Sequence, residues 1–171
     1  MNTRDIAHSL TTLLSELVDG APRTGAYMLN RGDPGLLHSL DTLDAAAASR
    51  AHAGGASIAA HVDHVRYGLA LLNRWAAGEK DPWLQADWTA SWRKTSVSES
   101  EWKELCAALQ DEARRWSDVV SAPRDVDDSE LNTILGSIAH IAYHLGAIRQ
   151  MDRAARGPSA EDEALTKRSA G

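Results

Sequence analysis

The stretch Ser137-Ile-Ala-His140-Ile-Ala-Tyr143-His144-Leu-Gly-Ala-Ile-Arg149 decides how this chain is read. Up to Ile148 it belongs to a run, from Leu131 to Ile148, that contains no Asp, Glu, Lys or Arg. Two histidines four residues apart stand on the same side of a helix, one turn above the other. That spacing lets both imidazoles reach a single metal ion. An uncharged helix that still holds Asn132, Thr133, Ser137, Tyr143 and two histidines belongs inside the protein, covered on several sides. Its polar arc then needs an internal purpose, and a metal site is the leading candidate. The large aliphatics Leu131, Ile134, Leu135, Ile138 and Leu145 centre on a different side from His140 and His144. The lack of charge on the histidine side argues that it too is covered.

The rest of the chain reads as further helices separated by Gly, Pro and Asp punctuation, without a convincing alternating strand. A first helix is expected from about Thr3 to Val18, with Ile6, Leu10, Leu13, Leu14 and Leu17 as its apolar stripe. Gly20 and Pro22 stop it. After a loop rich in Gly, Arg and Asn, Asp33-Pro34 has the form of an N-cap with Pro at the first helical position. A shorter helical stretch carrying Leu36, Leu37, Leu40 and Leu43 follows and fades near Gly54-Gly55. The second long helix spans Ser57 to about Gly78, and Ile58, Val62, Val65, Leu69, Leu72 and Trp75 form one broad arc on it. His61 and His64 fall within or at the edge of that arc and point toward the core.

A connector from Glu79 to Ser98 carries Trp83, Trp88 and Trp92. It is too long for a plain turn and too aromatic for a disordered linker, so it is expected to pack over one end of the bundle. Trp88 and Trp92 either wall an apolar pocket or cap the core. Ser98-x-x-Glu101 is a capping box that opens the third long helix, which ends before Pro123. Asp127 or Asp128 caps the fourth, which runs to about Arg156. Four long helices and a short one predict an all-α four-helix bundle with a Trp-rich connector. Residues 1–156 form one domain, and 157–171 are expected to be a flexible C-terminal tail.

Composition narrows the classes. The chain of 171 residues is long enough for a sizeable core, and its 43% hydrophobic and 25% charged content is ordinary for a globular protein. A net charge of −6 with scattered Lys and Arg argues against nucleic acid as a partner. Nothing approaches the roughly 18–20 apolar residues of a membrane span, and the charged N-terminus does not read as a signal peptide. The cytoplasm is the expected compartment. The single cysteine, Cys106, excludes an internal disulfide and a Cys-rich zinc site. It lies between Leu105 and Ala107 in an amphipathic helix, where a buried structural thiol is expected.

Neutral imidazole suits zinc, nickel, copper and iron, and three protein ligands with an open position mark a catalytic metal site. In a bundle, facing helices can converge side chains on one interior point. His140 and His144 supply the pair. His64 is the favoured third ligand, at the edge of its apolar arc, and His61 one turn earlier is the reserve. The position after His140 is Ile141, so the chain lacks the general-base Glu of HExxH enzymes. It also lacks the Glu-x-x-His pairs of di-iron bundles. A divalent ion held by three neutral histidines keeps its full charge and lowers the pKa of water or a thiol bound to it. Tyr143 and Asp63 either receive the outer N–H of a ligand histidine or, as the preferred reading, are solvated or structural. Arg149 is expected to pair with Asp152 or another acid rather than bind an anionic substrate, and Asp41 and Asp44 to be solvated.

With these residues in place, the sequence resembles the DinB/YfiT-like superfamily of metal-dependent enzymes. The resemblance rests on His140-x-x-Tyr143-His144-x-Gly146-x-Ile148, supported by Ser57-Ile-Ala-Ala-His-Val-Asp-His64-Val, and covers most of residues 1 to 155. It implies a four-helix bundle with a three-histidine site for nickel or zinc, its ligands His64, His140 and His144. The family often has Gln after the Gly of the motif, where this chain has Ala147. Members with known activity include transferases and isomerases that use low-molecular-weight thiols. The resemblance implies a thiol-dependent S-transferase acting on a small electrophile and is compatible with a homodimer, while activation of water by the same metal gives a hydrolase. The alternative is a non-catalytic metal- or ligand-binding, stress-associated bundle protein.

Overall fold

A computed structural model describes residues 3–51 and 55–159. Most of the expected tail, and Gly54 at the end of the short helical stretch, lie outside the described residues. Within them the chain is helical: α1 (Thr3–Val18), α2 (Gly35–Leu40), α3 (Ala45–Ala48), α4 (Ile58–Ala76), α5 (Glu99–Ser121) and α6 (Asp128–Met151). Short 3-10 turns cover Ala90–Trp92 and Arg153–Ala155, and the described residues hold no strand, only an isolated bridge between Ala51 and Ser57. No helix among them is long and apolar enough to cross a membrane.

Local chemistry sets the helix starts. Ser57 accepts from the Ala60 N–H at the head of α4, and Asp127 accepts from Glu130 at the head of α6. Ser98 and Glu101 complete the expected capping box on α5. The four long helices pack as a ring, α1 and α4 each lying against both α5 and α6, an arrangement compatible with a four-helix bundle. Leu14, Leu17, Ile58, Leu109, Trp116, Ile141 and Ile148 are almost wholly buried between them. Each side chain of this kind stabilises the fold by about 1.5–3 kcal/mol relative to exposure.

Several elements depart from expectation. The short helical stretch is two helices, because Asp44, exposed as expected, also caps α3 by accepting from the Ala47 N–H at 2.7 Å. Pro34 precedes α2 instead of entering it, and Asp33 accepts from the Gly35 N–H at 2.9 Å. The cause is a close crossing: a Cβ on Gly35 would stand 2.5 Å from the Gly20 nitrogen, and both glycines have positive φ. Arg149 pairs with an acid as expected, but the partner is not Asp152 and the pair is buried rather than at the surface. It makes a bidentate bond to Asp33, at 2.9 and 2.6 Å, with the Asp33 side chain only 2% exposed. Helix α6 ends at Met151, short of Arg156, because Asp152 leaves the helical conformation and caps the following 3-10 turn. Leu135, expected among the apolar residues of α6, is exposed. Cys106 is half-buried rather than buried.

The tryptophan connector lies along α4, not over an end of the bundle. Trp83 packs on Trp75, Trp88 on Tyr67, and Trp92 on His64 and His61, so the chain runs back beside α4 residue by residue. The Tyr67 hydroxyl accepts from the Asp87 N–H at 3.0 Å and helps hold that path. This placement brings a loop segment to the seam between α4 and α6.

Candidate metal centre

That seam holds four histidines. His64 and His61 descend from α4, and His140 and His144 from α6. The Nε2 of His140 is 3.2 Å from the Nε2 of His64 and 3.0 Å from that of His144. The three nitrogens form one cluster of potential ligand atoms all within 4.8 Å of one another. His144 is 1% exposed and His64 8%, while His140 is half-buried.

The outer nitrogens set the tautomers. Ser91 Oγ donates to the Trp88 carbonyl at 2.7 Å, so the same oxygen must accept from His64 Nδ1, 2.8 Å away. His64 therefore carries its proton on Nδ1 and presents a lone pair at Nε2. His144 Nδ1 lies 2.8 Å from His61 Nδ1, so one of the two carries the shared proton, and with the proton on His144 Nδ1 its Nε2 is free to ligate. Such outer partners orient a ligating imidazole and raise its basicity. The convergent lone pairs need a cation, or a proton on His140 Nε2 shared between both neighbours. Neutral imidazole nitrogens in this arrangement fit zinc or nickel.

The electrostatics favour neutral rings. Burial, reinforced by the neighbouring imidazoles, pushes His144 down to about 3 and His64 down to about 4. Burial lowers His61 and His140 as well. A histidine that stays unprotonated at neutral pH is in the state a metal requires. Trp92 stacks on His64 with ring centroids 4.3 Å apart and meets His61 edge-on, closing the site from the connector side.

The residues expected from the sequence divide clearly. His64, His140 and His144 come together, and His61 stands behind His144 instead of beside the cluster. Asp63 turns away to Arg66 at 2.8 Å, and Tyr143 is 68% exposed with its ring edge on His144, so neither receives an outer histidine proton. The residue that does so for His64, Ser91, is invisible to motif reading. Its only signal is its place between Trp88 and Trp92 in the connector.

Beside His140 is a cavity of about 330 Å³ between α4, α6 and the connector, lined by Gly68, Leu72, Trp83, Trp88 and Gly136 among others. Gly68 is one helical turn after His64, and Gly136 one turn before His140. Each glycine thus leaves room on the face that carries a histidine. Of the two alternatives for these tryptophans, lining an apolar pocket rather than capping the core is what Trp88 does. Trp92 covers the histidines. Compared with known protein families, curated proteins and solved structures, the chain finds no match.

Proposed function

We propose that the protein binds one divalent transition metal, zinc or nickel, through His64, His140 and His144, and uses it as an enzyme of the DinB/YfiT-like kind. The observation that supports this reading is the convergence of three Nε2 atoms from two helices, with two of the rings oriented from behind by Ser91 and His61. A metal at that point would supply a Lewis acid that activates water or a low-molecular-weight thiol. The chain's own groups hold the ligands neutral, cover them with Trp92 and leave the apolar cavity beside His140 for a small electrophilic substrate. The reaction proposed is S-transfer or hydrolysis, in a cytoplasmic protein that acts as a homodimer.

The test is elemental analysis of the purified protein beside a His140→Ala, His144→Ala double variant. About one metal equivalent in the wild type, lost in the variant, is the expected result. A wild type that stays metal-free after loading with zinc and with nickel overturns the reading. The cluster is then a histidine network in which His140 Nε2 donates to both neighbours. Protection of folding by the metal, without access for added thiol or anion, would instead indicate a structural site.

A further inference from the structure

We propose that the cavity beside His140 is a binding pocket for an uncharged aromatic small molecule, which names the substrate class and rests on the metal-centre reading for its catalytic role. Its volume of about 330 Å³ is roughly twice the 150 Å³ or so that accommodates a benzene ring in an apolar protein cavity. One or two fused or linked rings fit that space. Trp83 and Trp88 stand on its connector side and offer ring faces and edges to a planar guest.

Charge decides the class. Among the described residues, no Asp, Glu, Lys or Arg lines the cavity. The Ser137 hydroxyl, which does line it, is already committed, accepting from Trp116 Nε1 at 2.9 Å and donating to the Ile134 carbonyl at 2.7 Å. An anion or cation seated here would lose its hydration without a countercharge from these walls. The polar edge left to a guest is that of His140, whose Cε1 and Nδ1 lie against Gly68. An occupant is thereby held by its rings on the tryptophan side and meets polar chemistry at its histidine end. The glycines carve this shape. A Cβ at Gly68 would make ordinary contact with His140 at 3.8 Å, and one at Gly136 would enter open space.

The test uses two probes that share a two-ring system and differ by one charge, naphthalene and naphthalene sulfonate. Each is titrated by fluorescence against wild type, Gly68→Ala and Gly136→Leu, with metal content measured on the same samples. Both substitutions replace a helical glycine by a better helix former, and circular dichroism checks the fold. Saturable binding of the neutral probe, about tenfold or more tighter than the sulfonate, is expected. Gly136→Leu should weaken it by about tenfold, with metal content unchanged. No saturable binding, a sulfonate bound equally well, or a Gly136→Leu variant that binds like wild type would each overturn the proposal. The expected probe pattern in a metal-free protein leaves the pocket standing and removes the metal reading. Full metal content without probe binding removes the pocket alone.

Discussion

His64 Nδ1 lies 2.8 Å from Ser91 Oγ, and this contact fixes which nitrogen of His64 faces the other histidines. The hydroxyl cannot donate to the ring, because its proton is engaged by the Trp88 carbonyl at 2.7 Å. A serine on the connector thereby determines the chemistry of a histidine on α4.

Ser91→Ala should keep the fold but let the His64 ring turn and change tautomer. Metal affinity is expected to fall by about 10- to 100-fold, the usual cost of losing an outer partner. Competition against a chromophoric chelator reads this directly. An unchanged affinity would show that Ser91 does not orient the ligand.

Acid should destabilise the metal-stripped protein through its buried imidazoles. The folded-state values are lowered, to about 4 for His64 and about 3 for His144, from an ordinary 6.5. Between these limits the unfolded chain takes up protons that the folded chain refuses. Stability from these groups is therefore complete above about pH 6.5 and drains away as the pH falls toward 3–4. Urea midpoints measured on either side of that upper limit should drop on the acid side. Equal midpoints would mean that the rings protonate freely in the folded state.

Arg149→Met should be costly, because it leaves the Asp33 carboxylate buried without its cation. Breaking such a pair from one side typically costs about 3–5 kcal/mol. Adding Asp33→Asn should recover part of the loss, and urea denaturation of both variants gives the two numbers. A loss below about 1 kcal/mol would place the pair among the weak surface kind.

Cys106 should resist alkylation. Burial, with Asp41 nearby, raises its thiol from an ordinary 9 to about 12, which leaves about a thousandth as much thiolate at mildly alkaline pH. Iodoacetamide should therefore label it far more slowly in the native protein than in denaturant. Comparable rates would contradict the raised value.

What could be read from the sequence was what depends on near neighbours. The limits of α1, the capping box of Ser98 and Glu101 and the shared face of His140 and His144 all follow from residues within a turn or two. The approach of His64 was also legible, since its arc on α4 carries the core residues Ile58, Val62 and Val65. Ser91, by contrast, acquires its role only because the connector lies along α4, a path set by Trp83, Trp88 and Trp92 finding partners there. Asp44 was legible as a solvated acid but not as a cap, because nothing adjacent shows that Ala45–Ala48 form a helix of their own. Asp33 gave no hint of burial, as its partner is 116 residues away.

That distance has a consequence for how the molecule is made. Synthesis at about 5–20 residues per second means that Asp33 waits on the order of ten seconds for Arg149 to appear. Until then the loop between α1 and α2 has its carboxylate but not its latch, so it settles late however early it is made. A chain halted before α6 cannot supply that guanidinium, and an unlatched segment of this kind is what proteases cut first.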